Sequence, residues 1–256
     1  MLHWTKRLFA IAAPLLLTGC LWGPGKFSSD LTIRKDGGFV LDYRGELVLQ
    51  LPPDANAEVW TDAKAKCNDA GKDRPCTKTE IADQREAYEK KRKDSEEMAK
   101  AFGLPGLDDD SSRAFASKLM KFTGWRSVTY RGKGVFDVDY HLEGRTTQDF
   151  LFPALPDNNL LIPFVAIRRR ADGSVLVTAP AFTGGAGPLS AGAGAMGGDS
   201  KNGFVSRAQG RFTIKTDGEI LTNNSEDGAA ADPIGKQLHW DVGPASNKIP
   251  ETLIRL

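Results

Sequence analysis

The sequence predicts an α+β fold, mostly antiparallel β-sheet with Asp-Gly hairpins and a two-helix insertion. Three observations carry that reading. Apolar and polar residues alternate around Asp36-Gly37, Asp172-Gly173 and Asp217-Gly218, and period two across an Asp-Gly pair is the strongest short-range hairpin signal. One stretch, residues 54–124, abandons the alternation for charge-dense helical periodicity. Hydrophobic residues make up 40% of the 256, enough for a core, yet no apolar run after residue 20 is long enough to span a bilayer.

The N-terminal stretch sets the location. Lys6 and Arg7 precede an apolar run, Leu8 to Leu17, broken only by Pro14, which is the layout of a secretory signal. A spanning helix needs about 20 apolar residues, so this run is too short to remain in the membrane. Leu17-Thr18-Gly19-Cys20 closes the run and resembles the bacterial lipobox. That resemblance implies a diacylated thiol at Cys20, cleavage before it and acylation of the new amine. Two or three acyl chains hold a protein stably where one holds only marginally. Leu21 in place of Asp resembles the signal for outer-membrane sorting, which places the body at the periplasmic face of a bacterial outer membrane. The expected organisation is a signal peptide over 1–19, a lipidated tether over 20–26 and a periplasmic domain over 27–256. Trp22 suits the headgroup zone and Gly23-Pro24-Gly25 a flexible link. Loss of Lys6 and Arg7 takes the formal net charge from +1 to −1, and a near-neutral body argues against nucleic acid as a partner.

Within the domain, Phe27, Leu31 and Ile33 form the first inward row. Phe39, Leu41, Tyr43, Leu47, Leu49 and Leu51 form the second, closed by Pro52-Pro53. In the insertion, Cys67 and Cys76 are an even pair left over in an oxidising compartment, and no histidine lies near them for a zinc site. A disulfide is expected, stabilising by about 2–3 kcal/mol for so short a loop. Thr77 and Glu80 match a capping box and open a helix from about Lys78 to Phe102, ended by Gly103 and Pro105. Its apolar positions are sparse (Ile81, Tyr88, Met98, Phe102), while Glu86-Lys90, Glu89-Lys93 and Glu96-Lys100 fall at i,i+4. Asp108-Asp109-Asp110 caps a second helix, about Ser111 to Phe122, with Phe115, Leu119 and Phe122 as its stripe. Strands resume at Arg126–Tyr130 and Gly134–Gly144, followed by Phe150–Leu155, Leu160–Arg170 and Ser174–Ala179. Arg211–Thr216, Glu219–Thr222, Gln237–Val242 and Leu253–Leu256 complete them. Gly184 to Gly203 reads as a glycine-rich loop and 223–236 as a polar one.

Chemistry was sought in four places. Gly192-Ala193-Gly194-Ala195-Met196-Gly197 fits GxGxxG by letter but lacks the strand, helix and βαβ setting of a dinucleotide site. Asp137, Asp139, His141 and Glu143 share one strand face, as do His239 and Asp241. They could gather a metal if the two strands were neighbours, or they are the wet faces of half-buried strands. No GxSxG elbow is present for nucleophilic catalysis. Arg168-Arg169-Arg170 beside Arg131 and Lys133 could meet anionic headgroups, or simply end a strand.

The segment from Gly210-Arg211-Phe212 to Trp240 resembles the closing segment of LppM-type bacterial lipoproteins. The matching features are Gly218 in a turn, Asn223-Asn224 after the next strand and Leu238-His239-Trp240 beyond. The lipobox followed directly by two strands also fits, while the charged helix and glycine tract look like additions. The whole chain is similar to lipoproteins of Gram-negative bacteria. The LppM-type resemblance implies a lipid- or glycolipid-handling module with no catalytic residues to carry over. The expectation is therefore a non-catalytic envelope lipoprotein, without cofactor or metal, binding lipid or glycolipid in an apolar cleft near Phe150, Phe152, Leu160 and Phe164. The alternative is a structural or assembly protein that recruits another envelope protein through its charged helix.

Overall fold

The computed structural model describes residues 22–49, 60–69, 71–101, 108–154, 163–184 and 206–256. The alternating segments become strands β1 (Trp22–Ile33) and β2 (Gly38–Leu49). The insertion supplies β3 (Cys67–Asp69), β4 (Lys72–Arg74) and the helices α1 (Lys78–Ala101) and α2 (Asp109–Leu119). Next come β5 (Trp125–Gly132), β6 (Val135–Arg145), β7 (Phe150–Phe152), β8 (Val165–Arg169) and β9 (Val175–Thr178). The chain closes with β10 (Gln209–Thr216), β11 (Glu219–Asn223), β12 (Ala230–Asp232), β13 (Gly235–Val242) and β14 (Glu251–Arg255). Among the described residues the fold is α+β, with 49% strand and two helices.

Two sheets carry the body. The larger is seven-stranded, in the order β12-β13-β10-β1-β2-β6-β5, and the smaller five-stranded, β11-β14-β9-β8-β7. All pairings are antiparallel except β1 with β10, which run parallel from Lys26↔Gln209 to Ile33↔Thr216. Inward residues of the large sheet meet those of the small one, as Phe39 on Phe150 and Tyr43 on Phe152 show, with ring centroids 4.9 and 5.1 Å apart. Helix α2 covers the rest of that inner face, stacking Phe115 on Trp22 at 5.3 Å. Asp108 caps α2 by accepting from the Ser111 N–H at 2.8 Å, which holds its carboxyl below the usual range. Leu119 is buried as the stripe requires, but Phe122 lies past the helix end and is exposed.

Several expectations are corrected. The tether expected over 20–26 is already strand from Trp22 onward, and Trp22 is buried rather than set at a headgroup layer. Gly37 and Gly173 adopt the left-handed φ of 82° and 83° that a hairpin glycine supplies. Gly218 does not: Asp217-Gly218 carries the chain from the large sheet (β10) to the small one (β11), and is a corner rather than a hairpin. A Cβ on Gly218 would lie 2.8 Å from the Arg255 carbonyl, so this glycine serves close approach. The polar loop expected over 223–236 contains β12, paired to the start of β13 through Asp232↔Gly235. Residues 50–59, 155–162 and 185–205, hence most of the glycine-rich loop and Leu160, lie outside the described residues, as does Cys20. Among the described residues no helix is long and apolar enough to cross a membrane.

Close backbone contact at the central strand yields a stability prediction. A Cβ at Gly210 would sit 1.9 Å from the Phe27 carbonyl oxygen, whereas one at Gly243 meets nothing within 4 Å. Gly210→Ala is expected to cost about 1–3 kcal/mol in chemical denaturation, as overpacking does. Gly243→Ala should stay within about 0.5 kcal/mol of the parent.

Candidate functional site

Among the described residues, the insertion builds an arm held together by contacts of its own. β3 and β4 form a short hairpin closed by the Cys67–Cys76 disulfide, with Cα atoms 5.3 Å apart, as the cysteine arithmetic predicts. Helix α1 starts on the capping box: Glu80 Oε2 accepts from the Thr77 N–H at 2.8 Å, and the Glu80 N–H is 3.3 Å from Thr77 Oγ1. Arg74 grips the same carboxylate with both terminal nitrogens, at 2.9 and 2.6 Å. The guanidinium first, then the cap, hold Glu80 down at about 2. Gln84 clamps the Lys66 backbone from both sides, Arg85 pairs with Asp62, and the Trp60 and Tyr88 rings meet at 5.8 Å.

Ile81, Gln84 and Tyr88 are thus a stripe consumed by the arm's own hairpin. Beyond them the character changes. Residues 89–94 are exposed all round the helix, and Arg92 reaches Glu96 at 3.3 Å along one face. A helix polar on every side has no core to stabilise it and is held by its cap and by pairs along its surface.

The apolar residues singled out from sequence lie elsewhere. Phe150 is half-buried against Phe39. Phe152 and Phe164 are closed into the core, 1% and 0% exposed, and Tyr140, Tyr43, Trp125 and Phe164 surround the Phe152 ring at 4.5–6.3 Å. Neighbouring rings pack around Phe152, and Leu160, the remaining residue of the expected cleft, lies outside the described residues. Leu151, pointing the other way on β7, is 44% exposed.

The polar face behaves as the alternation predicts, but it does not converge. Asp137, Asp139, His141 and Glu143 share the outer face of β6; His239 and Asp241 share that of β13. Three strands, β2, β1 and β10, separate the two, so His141 and His239 stand roughly 19 Å apart at about 4.8 Å per strand. Each histidine has its own carboxylate: His141 Nδ1 lies 2.8 Å from Asp42, and His239 Nε2 3.1 Å from Asp227. Among the described residues no group of three His, Cys, Asp or Glu could hold a metal. Arg168-Arg169-Arg170 also part from Arg131 and Lys133. The arginine run adjoins the 170–173 turn, on the side of Ile254 and Arg255, while Lys133 lies in the β5–β6 turn beside Leu49.

One feature went unread in the sequence. A cleft of about 260 Å³ opens over β13, floored by Phe182, Trp240 and Val242 and walled by Glu226, Asp227, His239 and Lys248. Asn224 builds it. Its side-chain oxygen accepts from the Trp240 indole at 3.0 Å and from the Glu251 N–H at 2.9 Å, and its amide donates to the Ile249 carbonyl at 2.7 Å. The signal was available, because a buried tryptophan needs a partner for its N–H and Asn223-Asn224 was the nearest polar loop. Arg211 sits across Asp241 at 2.7 Å and holds that carboxyl below its ordinary value.

No family model matches the chain, and no curated protein matches it.

Two predictions concern the arm. In an NMR titration the Glu80 carboxyl should have its midpoint near 2, below the usual 4.5. A depressed carboxylate contributes stability that is present above its unfolded value and lost as pH falls through its folded one. Unfolding of the first turn of α1 should therefore set in below pH 4.5 and finish near pH 2, and Glu80→Gln should abolish that dependence. Replacing Cys67 and Cys76 together by serine should remove about 2–3 kcal/mol of hydrogen-exchange protection from residues 78–88. The sheets should keep theirs.

Proposed function

We propose that this chain is a lipid-anchored, non-catalytic protein of the bacterial envelope, held by acylated Cys20, which recruits a protein partner through the charged half of α1. The observation that carries this reading is the exposed run 89–94, where Lys90, Lys91, Arg92 and Lys93 stand beside Glu89 and Asp94 with no sheet against them. The filled space around Phe152 and Phe164 supports the same preference, since a packed body suits a scaffold better than an acyl-chain carrier. Interfaces of mixed charge give specificity and fast association that weaken as salt screens them.

A second reading is favoured by the cleft over β13. Its aromatic floor and polar walls suit the sugar of a glycolipid rather than its acyl chains, so lipid handling on this chain would act on a headgroup.

The test is photo-crosslinking in the envelope from position 93, compared with position 236 on the body. A discrete adduct from position 93 is expected. Charge reversal by Lys90→Glu with Lys93→Glu should weaken the association by roughly tenfold, about 1.4 kcal/mol, mainly in the on-rate. Adduct formation indifferent to salt and to reversal would remove the arm from the account. Native mass spectrometry of the body would decide the second reading, a stoichiometric glycolipid lost on Trp240→Ala being its signature.

A further inference from the structure

We infer that the body stands end-on upon the membrane, the end that bears Trp22 and Leu49 against the headgroups and the opposite end towards the aqueous space. This rests on the proposal that Cys20 is acylated. Only Leu21 separates Cys20 from the first residue of β1, so the acylated residue lies at most about 7 Å from the edge of the sheet. A tether reaching to residue 26 would have let the body turn freely; two links do not. Trp22 is stacked on Phe115 of α2 and paired with Leu49, so the first described residue of β1 is fixed at this end of the body.

Other features gather at that end. Leu49, where the insertion departs, bonds to the β5–β6 turn through the Gly134 carbonyl at 2.7 Å, and Tyr130 at the same end receives α2 through Asp109 at 2.9 Å. The described chain thus reaches the insertion at the same end as Trp22.

Charge selects this end over the flat outer face. Lys133 and Arg207 are exposed on it, and the acids at the start of α2 are engaged there: Asp108 with Ser111, Asp109 with Tyr130, Asp110 with Arg113. The outer face of the large sheet instead carries both signs in facing pairs, Arg44 with Asp139 and Arg211 with Asp241, which offer an anionic leaflet little net attraction.

Strand β1 runs roughly 36 Å from Trp22 to Ile33 at about 3.3 Å per residue, several times the thickness of a headgroup layer, so the two ends are readily told apart. The full chain, purified from the envelope, is placed in vesicles of zwitterionic and anionic phospholipid containing a headgroup nitroxide. A dye is attached through Lys133→Cys or Arg207→Cys at the near end, and Lys35→Cys or Lys236→Cys at the far end. Near-end dyes are expected to lose most of their emission and far-end dyes to keep it. Equal quenching at both ends, or none at either, on protein whose mass shows acylated Cys20 would overturn the orientation alone. A mass without acyl chains would overturn the anchor reading and the orientation with it.

Discussion

Everything in the body hangs on both edges of β1. It is the central strand of the large sheet, paired antiparallel to β2 on one side and parallel to β10 on the other. The parallel partner comes from far along the chain, and joining such distant residues costs loop-closure entropy that grows only slowly with length. The return is a platform on which Phe27, Leu31 and Ile33 face inward and are buried. Two glycines make the pairing possible. Gly210 lets β10 come close to the Phe27 carbonyl. Gly45, at a left-handed φ of 152°, sits where a Cβ would lie 2.3 Å from the Lys26 carbonyl, at the irregularity between Pro24 and Phe27.

The interior this platform makes is aromatic. Tyr43 is fully buried, its ring close to those of Phe27, Phe152, Phe164 and Phe182, and its hydroxyl donates to the Glu46 carbonyl at 2.8 Å. Burial pushes that hydroxyl well above its ordinary pKa, so it stays neutral, donates one bond and leaves no charge in the core. Rings interlocked in this way stabilise by burial and by edge and tilted contacts, and they leave little space for a ligand. Among the described residues the inside is closely filled.

Local chemistry made the antiparallel part legible. Alternation around Asp36-Gly37 and Asp172-Gly173, the Thr77/Glu80 box and the cysteine pair each depend on residues near one another in sequence, and each appears as expected. What could not be read depends on distant residues. Trp22 two residues after a lipobox-like cysteine suggests a headgroup anchor, yet its stacking partner Phe115 lies far along the chain, on the second helix of the insertion. Asp217-Gly218 has the letters of a hairpin, but Lys35 donates its backbone N–H to Asp217 at 2.7 Å and the chain turns into the second sheet. The apolar run at Phe150–Phe152 marked burial correctly without saying whether the buried face would line a groove or fill a core.

Charge on the sheet and charge on the helix have different consequences. On the outer face, opposite charges sit at directly facing register positions: Arg44 with Asp139, Arg211 with Asp241, His141 with Asp42. Such cross-strand pairs favour the facing register, which gives these residues a structural role. Their geometry also disperses them along strands instead of aiming them at one point, which acid–base or metal chemistry would require. On α1 beyond Tyr88 the charges lie on an exposed surface, where Arg92 meets Glu96 along the helix itself. The same residue types therefore serve as internal fastening on the sheet and as an outward surface on that half of the helix. That difference in neighbours, rather than composition, sets the charged half of α1 apart from the sheet.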